Sequence, residues 1–259
     1  AFARLLGRQD LAFEVEGLWG LPNWQPEELK LAVAAIDALG FAPHIHAIGD
    51  AAVRMALDAI EHANASNGAR DRRATIAHTQ LVDPADIERF VALGVIANFE
   101  PYWAKYDSWQ TELTAPRLGD VRTNRQFMMG TILQTGAPIS FGSDWPCSWP
   151  PAPLDGIQQA VERQLRQLFT PPAPNPNPSF VSPNERLTVE QAVAAYTRAG
   201  AFARFSENRL GTLEPGKEAD LAVLSQDIFT AQPRDIGKSR VALTMVGGKV
   251  VFDDRQQNK

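Results

Sequence analysis

The chain has 259 residues, 44% of them hydrophobic and 21% charged, a composition that fits a soluble globular protein of one large or two smaller domains. A net charge of −5 with acids and bases interspersed leaves no basic stripe for nucleic acid, and no run approaches the roughly 18 apolar residues of a membrane span. Cys147 is the single cysteine, so no intrachain disulfide can form.

The chain opens on Ala1-Phe2-Ala3-Arg4-Leu5-Leu6, without an initiator Met and too short an apolar run for a secretory leader. The expectation is a chain that begins after processing or partway through a longer protein. The cytoplasm is the expected compartment.

From residue 27 to about 145 the pattern alternates helix and strand. Glu27 to Leu39 aligns Leu29, Val33 and Ile36 on one helical face, with Gly40 as a stop. A strand through His46 follows, and then a helix from Asp50 to about Ala63 carrying Val53, Leu57 and Ile60, with Asp50 as its expected cap. Strand Arg73–His78 leads into Asp83-Pro84, an N-cap and first-turn pair, and a helix bearing Ile87, Phe90 and Val91. Strand Val95–Phe99 is next, then a helix from about Thr123 to Gln134 and strand Pro138–Phe141. Repeated β-α units with short turns predict a parallel sheet covered by helices.

Beyond Asp144, Trp145-Pro146-Cys147-Ser148-Trp149-Pro150-Pro151 reads as a rigid loop, Asp155 to Phe169 as a helix, and the Pro- and Asn-rich stretch from Thr170 to Asn184 as an exposed loop. Thr188 and Gln191 form a capping box for a helix through Tyr196 and Ala203. The last fifty residues turn to β, with Gly247-Gly248 as a tight hairpin turn between Val241–Val246 and Lys249–Phe252.

Three polar residues stand at strand ends: His46, His78 and Asp144. Two imidazoles and a carboxylate can hold a divalent metal and manage a proton. Carboxyl ends of strands carry the chemistry of both (β/α)₈ barrels and doubly wound sheets, so position alone does not choose between them. The absence of Gly-x-Gly-x-x-Gly after any strand weakens a dinucleotide-binding reading. The bland alternatives are a buried, satisfied histidine for His46 or His78 and a loop cap for Asp144. His44 reads either as core packing or as a substrate contact. Trp103 and Trp145, with Tyr102 and Trp149, form either an aromatic substrate wall or loop packing on the rim. Lys105, Arg122 and Arg125 are positioned to meet a polar substrate group or to remain ordinary surface charges, and His62 reads as surface.

Four segments carry a resemblance: His46-Ala47-Ile48-Gly49-Asp50, Ile76-Ala77-His78, Phe141-Gly142-Ser143-Asp144-Trp145-Pro146, and Gly211-Thr212-Leu213-Glu214-Pro215-Gly216-Lys217-Glu218-Ala219-Asp220-Leu221. In this order the chain resembles the amidohydrolase superfamily, in its family 3 branch, which includes N-substituted formamide deformylases. The resemblance runs from about Gly20 to Phe252. It implies that residues 1–208 form the second half of a (β/α)₈ TIM-like barrel and residues 209–259 the carboxyl-terminal strands of a composite β-sandwich. It further implies that His46 and His78 are the fifth- and sixth-strand metal ligands and Asp144 the eighth-strand aspartate.

The implied activity is metal-dependent hydrolysis of a non-peptide carbon–nitrogen bond in a small amide-type substrate. One or two divalent ions, zinc or else iron, activate water while Asp144 acts as general base. The first-strand His-x-His pair and the fourth-strand Lys or Glu of such enzymes do not occur upstream of His46. His44 and His46 do form a His-x-His, but Ala-Ile-Gly-Asp after them fits the fifth-strand motif. The expected partner is therefore an amino-terminal half, on the same or a separate polypeptide, with a homo-oligomer also open. The competing expectation is a catalytically silent barrel fragment or partner-binding subunit.

Overall fold

The computed structural model describes residues 22–105, 107–148, 152–163 and 185–254. Trp149, the Pro- and Asn-rich stretch at 170–184, the end of the helix expected to reach Phe169 and the opening segment lie outside the described residues.

Four short strands form one parallel sheet in sequential order: β1 (His44–Ala47), β2 (Thr75–His78), β3 (Ile96–Phe99) and β4 (Ile139–Phe141). The registers pair His46 with Ala77, Ala77 with Asn98, and Asn98 with Ser140. Helices cross between them: α1 (Pro26–Ala38) precedes β1, α2 (Asp50–Asn67) follows it, and α3 (Ile87–Ala92) lies between β2 and β3. The expected alternation of strand and helix is therefore present.

Apolar side chains at helical spacing explain the seating of α2, whose Val53, Leu57 and Ile60 are buried against the sheet residues Ala47, Ile76 and Ala97. Asp83 accepts a hydrogen bond from the Ala85 backbone, so the Asp-Pro pair starts its helix as expected. On α1 the inward stripe differs from the expected one. Val33 and Asp37 are buried, whereas Ile36 is 44% exposed. The polar Asp37 takes the inward position because Arg70 and Arg72 reach it from the segment before β2.

The stretch expected to be one helix from Thr123 to Gln134 is broken. A π-helical turn, Trp109–Thr114, runs into α4 (Ala115–Thr123), which Gly119 kinks, and α5 (Met129–Gln134) starts separately. Between them Phe127 has a left-handed backbone (φ 52°) and is tied to Gln80 and to the buried Arg163. Tertiary bonds to Phe127 override the local helical pattern.

After β4, α6 (Pro153–Glu162) is followed by Arg163, which adopts a left-handed cap and donates to the Gln126 and Phe127 carbonyls. The capping box at Thr188 starts α7 (Val189–Tyr196) as expected, but non-helical Thr197 separates it from α8 (Arg198–Ala203). A three-stranded antiparallel sheet follows, made of β5 (Leu221–Leu224), β6 (Val241–Val246) and β7 (Lys249–Asp253). Gly247 and Gly248, both at positive φ, make the expected tight turn. A 3₁₀ segment, Pro233–Lys238, anchors this part of the chain: the Gly237 amide donates to Gln158 of α6 at 2.9 Å. No helix of the described residues is long and apolar enough to cross a membrane.

Candidate functional site

A cavity of about 480 Å³ opens at the carboxyl ends of the parallel strands, lined by His44, His46, His78, Asn98, Glu100 and Asp144. Every strand of the sheet supplies a lining residue from its length or its exit.

His44 and His46 are alternate residues of β1 and so share a face. Both are exposed, because β1 is an edge strand among the described residues. The core-packing reading of His44 is thereby corrected: the residue is exposed, and among the described residues no strand pairs with the far edge of β1. His46, expected at the end of its strand, lies inside it, one residue before the last, Ala47.

His78 ends β2. Strict alternation would send it to the face opposite His46, since its register partner is Ala47. Its left-handed backbone (φ 73°), continued by Thr79 (φ 46°), ends the strand and brings the ring to 4.2 Å from that of His46, nearly edge-on. Asp144, three residues past β4, is also left-handed (φ 55°). Such backbone costs about 1–3 kcal/mol per residue, and its concentration here is characteristic of functional sites.

Glu100 is the residue that sequence reasoning missed. It is 4% exposed and follows β3, with Oε2 2.9 Å from His78 Nδ1. The approach is off line for a regular hydrogen bond, and no other donor among the described residues reaches that buried oxygen. Asn98, two residues earlier, donates to Ser140 Oγ at 3.0 Å. The available signal was Asn98-Phe99-Glu100, polar at alternate positions across a strand exit, as in His44-Ile45-His46.

Burial opposes a charge on His78, but the adjacent Glu100 carboxylate outweighs it and raises the imidazole above its ordinary value. Partial desolvation, reinforced by His78, holds His46 below its ordinary value, against the pull of Asp144. Desolvation also lowers His44. Two histidines are thus biased toward the neutral, lone-pair-bearing form that metals bind.

The remaining residues sort by position. Trp145, 62% exposed, lies at the rim of the cavity. Trp103 packs against the core instead of lining the cavity, since the 3₁₀ turn Pro101–Trp103 folds it inward. Lys105 stacks on Tyr102, 3.6 Å from the ring centre. Asp50 is the first helical residue, after the cap Gly49, and holds Arg122 through both oxygens at 2.8 and 2.7 Å. The cap assigned to Asp50 and the substrate contact considered for Arg122 are replaced by that ion pair.

The donor types fit a divalent ion: two imidazoles in ring contact, a carboxylate on the same cavity, and a buried acid behind one imidazole. The set is not closed, because no group of three His, Cys, Asp or Glu side chains converges to metal-holding distance among the described residues.

Comparison with known proteins decides the family. The profile described as "Amidohydrolase family" matches residues 6–252. The chain belongs to the amidohydrolase family. It is 34% identical to Protein LONG AFTER FAR-RED 3 of Arabidopsis thaliana over 90% of its own length and 38% of that protein's. It is 27% identical to the N-substituted formamide deformylase of Arthrobacter pascens, over 86% of its own length and 38% of that enzyme's. Among solved structures, a metal-dependent hydrolase from Pyrococcus furiosus superimposes with a TM-score of 0.63 at 28% identity. That match covers 83% of this chain and 41% of the other. The chain thus spans about two fifths of the length of these relatives.

Proposed function

We propose that this chain is the carboxyl-terminal half of a metal-dependent hydrolase acting on a non-peptide carbon–nitrogen bond of a small amide-type substrate. The observation that carries the reading is the meeting of His46, His78 and Asp144 on one cavity at the carboxyl ends of a parallel sheet, in a chain of the amidohydrolase family. His46, His78 and Asp144 would hold the ion, zinc or iron, in a mononuclear or binuclear site. When bound, a divalent ion supplies Lewis acidity, polarising a carbonyl and acidifying water. Asp144 accepts a proton from the attacking water and returns it to the leaving nitrogen. His44 and the rim residue Trp145 orient the substrate.

In this reading β1 to β4 are the fifth to eighth strands of a (β/α)₈ barrel, and β5 to β7 belong to a composite β-sandwich. Two observations support a completing amino-terminal half. The β1 edge is unpaired among the described residues, and α1 leaves Leu31 and Leu39 66% and 76% exposed. The small sheet likewise exposes Val250 and Val251 by half or more.

The test is native mass with metal analysis, on the chain alone and joined to an amino-terminal half bearing His-x-His, followed by amide hydrolysis. About one or two equivalents of zinc or iron with turnover in the joined form is the expected result. A joined form that stays metal-free and inactive overturns the proposal. One observation favours a second reading, a catalytically silent subunit: no three-donor cluster closes among the described residues.

A further inference from the structure

We propose that Glu100 is a positioning residue for His78: its buried carboxylate holds the ring in the Nδ1–H tautomer and leaves Nε2, the other ring nitrogen, to face the cavity as a lone-pair donor. The proposal rests on the metal-site reading for its purpose, but its geometry stands independently.

Three observations converge. Glu100 Oε2 lies 2.9 Å from Nδ1, so a proton on that nitrogen is the natural bridge between a carboxylate and a neutral imidazole. The same oxygen is buried with no other hydrogen-bond donor among the described residues, and an acceptor sealed from water demands one. His78 is also the strand-end residue whose left-handed backbone frees its ring from the sheet's alternation. A side chain with that freedom needs a second contact to fix its plane.

The carboxylate does more than a neutral acceptor would. It selects the tautomer and makes Nε2 more basic, the way outer carboxylates support metal-bound histidines. Replacing it should therefore act through His78, since Glu100 lines the cavity but is not among the residues proposed to hold the ion.

The experiment is nitrogen NMR of the full chain with labelled histidine, metal-free and in buffer alkaline enough to keep the imidazoles neutral, with His78→Gln assigning the signal. Zn²⁺ titration against a chelator follows. Wild type should show His78 as Nδ1–H. Glu100→Ala should shift it toward Nε2–H and weaken Zn²⁺ about 10- to 100-fold, whereas Glu100→Gln, which keeps an acceptor oxygen, should retain the tautomer and lose less affinity. A wild-type His78 protonated at Nε2 overturns the proposal with no variant needed, which covers the case of an alanine variant that fails to fold. An alanine variant that keeps Nδ1–H, or binds Zn²⁺ like wild type, overturns it as well. A tautomer that shifts as expected in a chain that never takes up Zn²⁺ supports the positioning and removes the metal reading.

Discussion

Asp37 and Arg72 form an ion pair closed to solvent on both sides: the carboxylate side chain is fully buried, the guanidinium is 6% exposed, and Nε donates to Oδ1 at 2.9 Å. Arg70 and Asn67 donate to the same carboxylate, so α1, the end of α2 and the approach to β2 are tied at one point. A charged group on the inward stripe of an amphipathic helix is stable only with this degree of pairing.

Asp37→Asn should destabilise the fold by about 3–5 kcal/mol, because it leaves a buried guanidinium without its counter-charge. Chemical denaturation at neutral pH measures the loss. Burial opposes ionisation of Asp37, but the bonds from Asn67, Arg72 and Arg70 prevail and hold it below its ordinary 3.8. Its contribution is therefore complete above that ordinary value and fades as pH falls through the lowered one. The gap between wild type and variant should narrow in acid, and a constant gap would refute the pairing.

Gly156 of α6 faces Tyr196 of α7 so closely that a Cβ there would stand 2.0 Å from the tyrosine oxygen and 2.9 Å from Cζ. Gly156→Ala should cost about 1–3 kcal/mol. Adding Tyr196→Phe removes the nearest atom and should recover part of that loss. Additive effects in a double-mutant cycle would show that the two helices do not meet as described.

The two tryptophans offered as substrate contacts should separate by assay. Trp103, packed on the core, should lose about 3 kcal/mol of stability or more when replaced by Ala. Trp145→Ala should leave the melting temperature nearly unchanged, because the side chain is 62% exposed. In an active, completed enzyme its effect should fall on KM. A large thermal shift in the Trp145 variant would place that ring in packing instead.

For the site itself, His46→Ala and His78→Ala should each reduce Zn²⁺ uptake, measured by equilibrium dialysis. Asp144→Asn should retain most of the metal and lose turnover by about 10²- to 10⁴-fold in the completed enzyme, the range for removing a general base. Full activity in the asparagine variant would remove Asp144 from proton transfer.

The strands and their order were legible because β2, β3 and β4 are buried on both faces and read as apolar runs between turns. His46, His78 and Asp144 stood out as polar residues closing or leaving such runs. Glu100 did not, since a lone acid after a strand looks like any loop acid until the fold seals it beneath a histidine. The break around Phe127 was hidden for a related reason. Its partners Gln80 and Arg163 are 47 and 36 residues away in sequence, and no local pattern records them. Ile36 and Asp37 exchanged their expected roles because the arginines that reward a buried aspartate lie beyond the next strand.

The order β1-β2-β3-β4 puts His46 and Asp144 at opposite margins of the sheet, with His78 and Glu100 on the two inner strands. Neighbouring inner strands are held by their ladder at about 4.8 Å, which sets the spacing of the backbones that carry His78 and Glu100. The span between the outer donors is different in kind: it is governed by how strongly the whole sheet curls. A difference of a few degrees per strand in that curl would accumulate across three steps and widen or narrow the mouth. Whatever braces the β1 margin therefore sets the gauge of the site, and does so without touching a single donor atom.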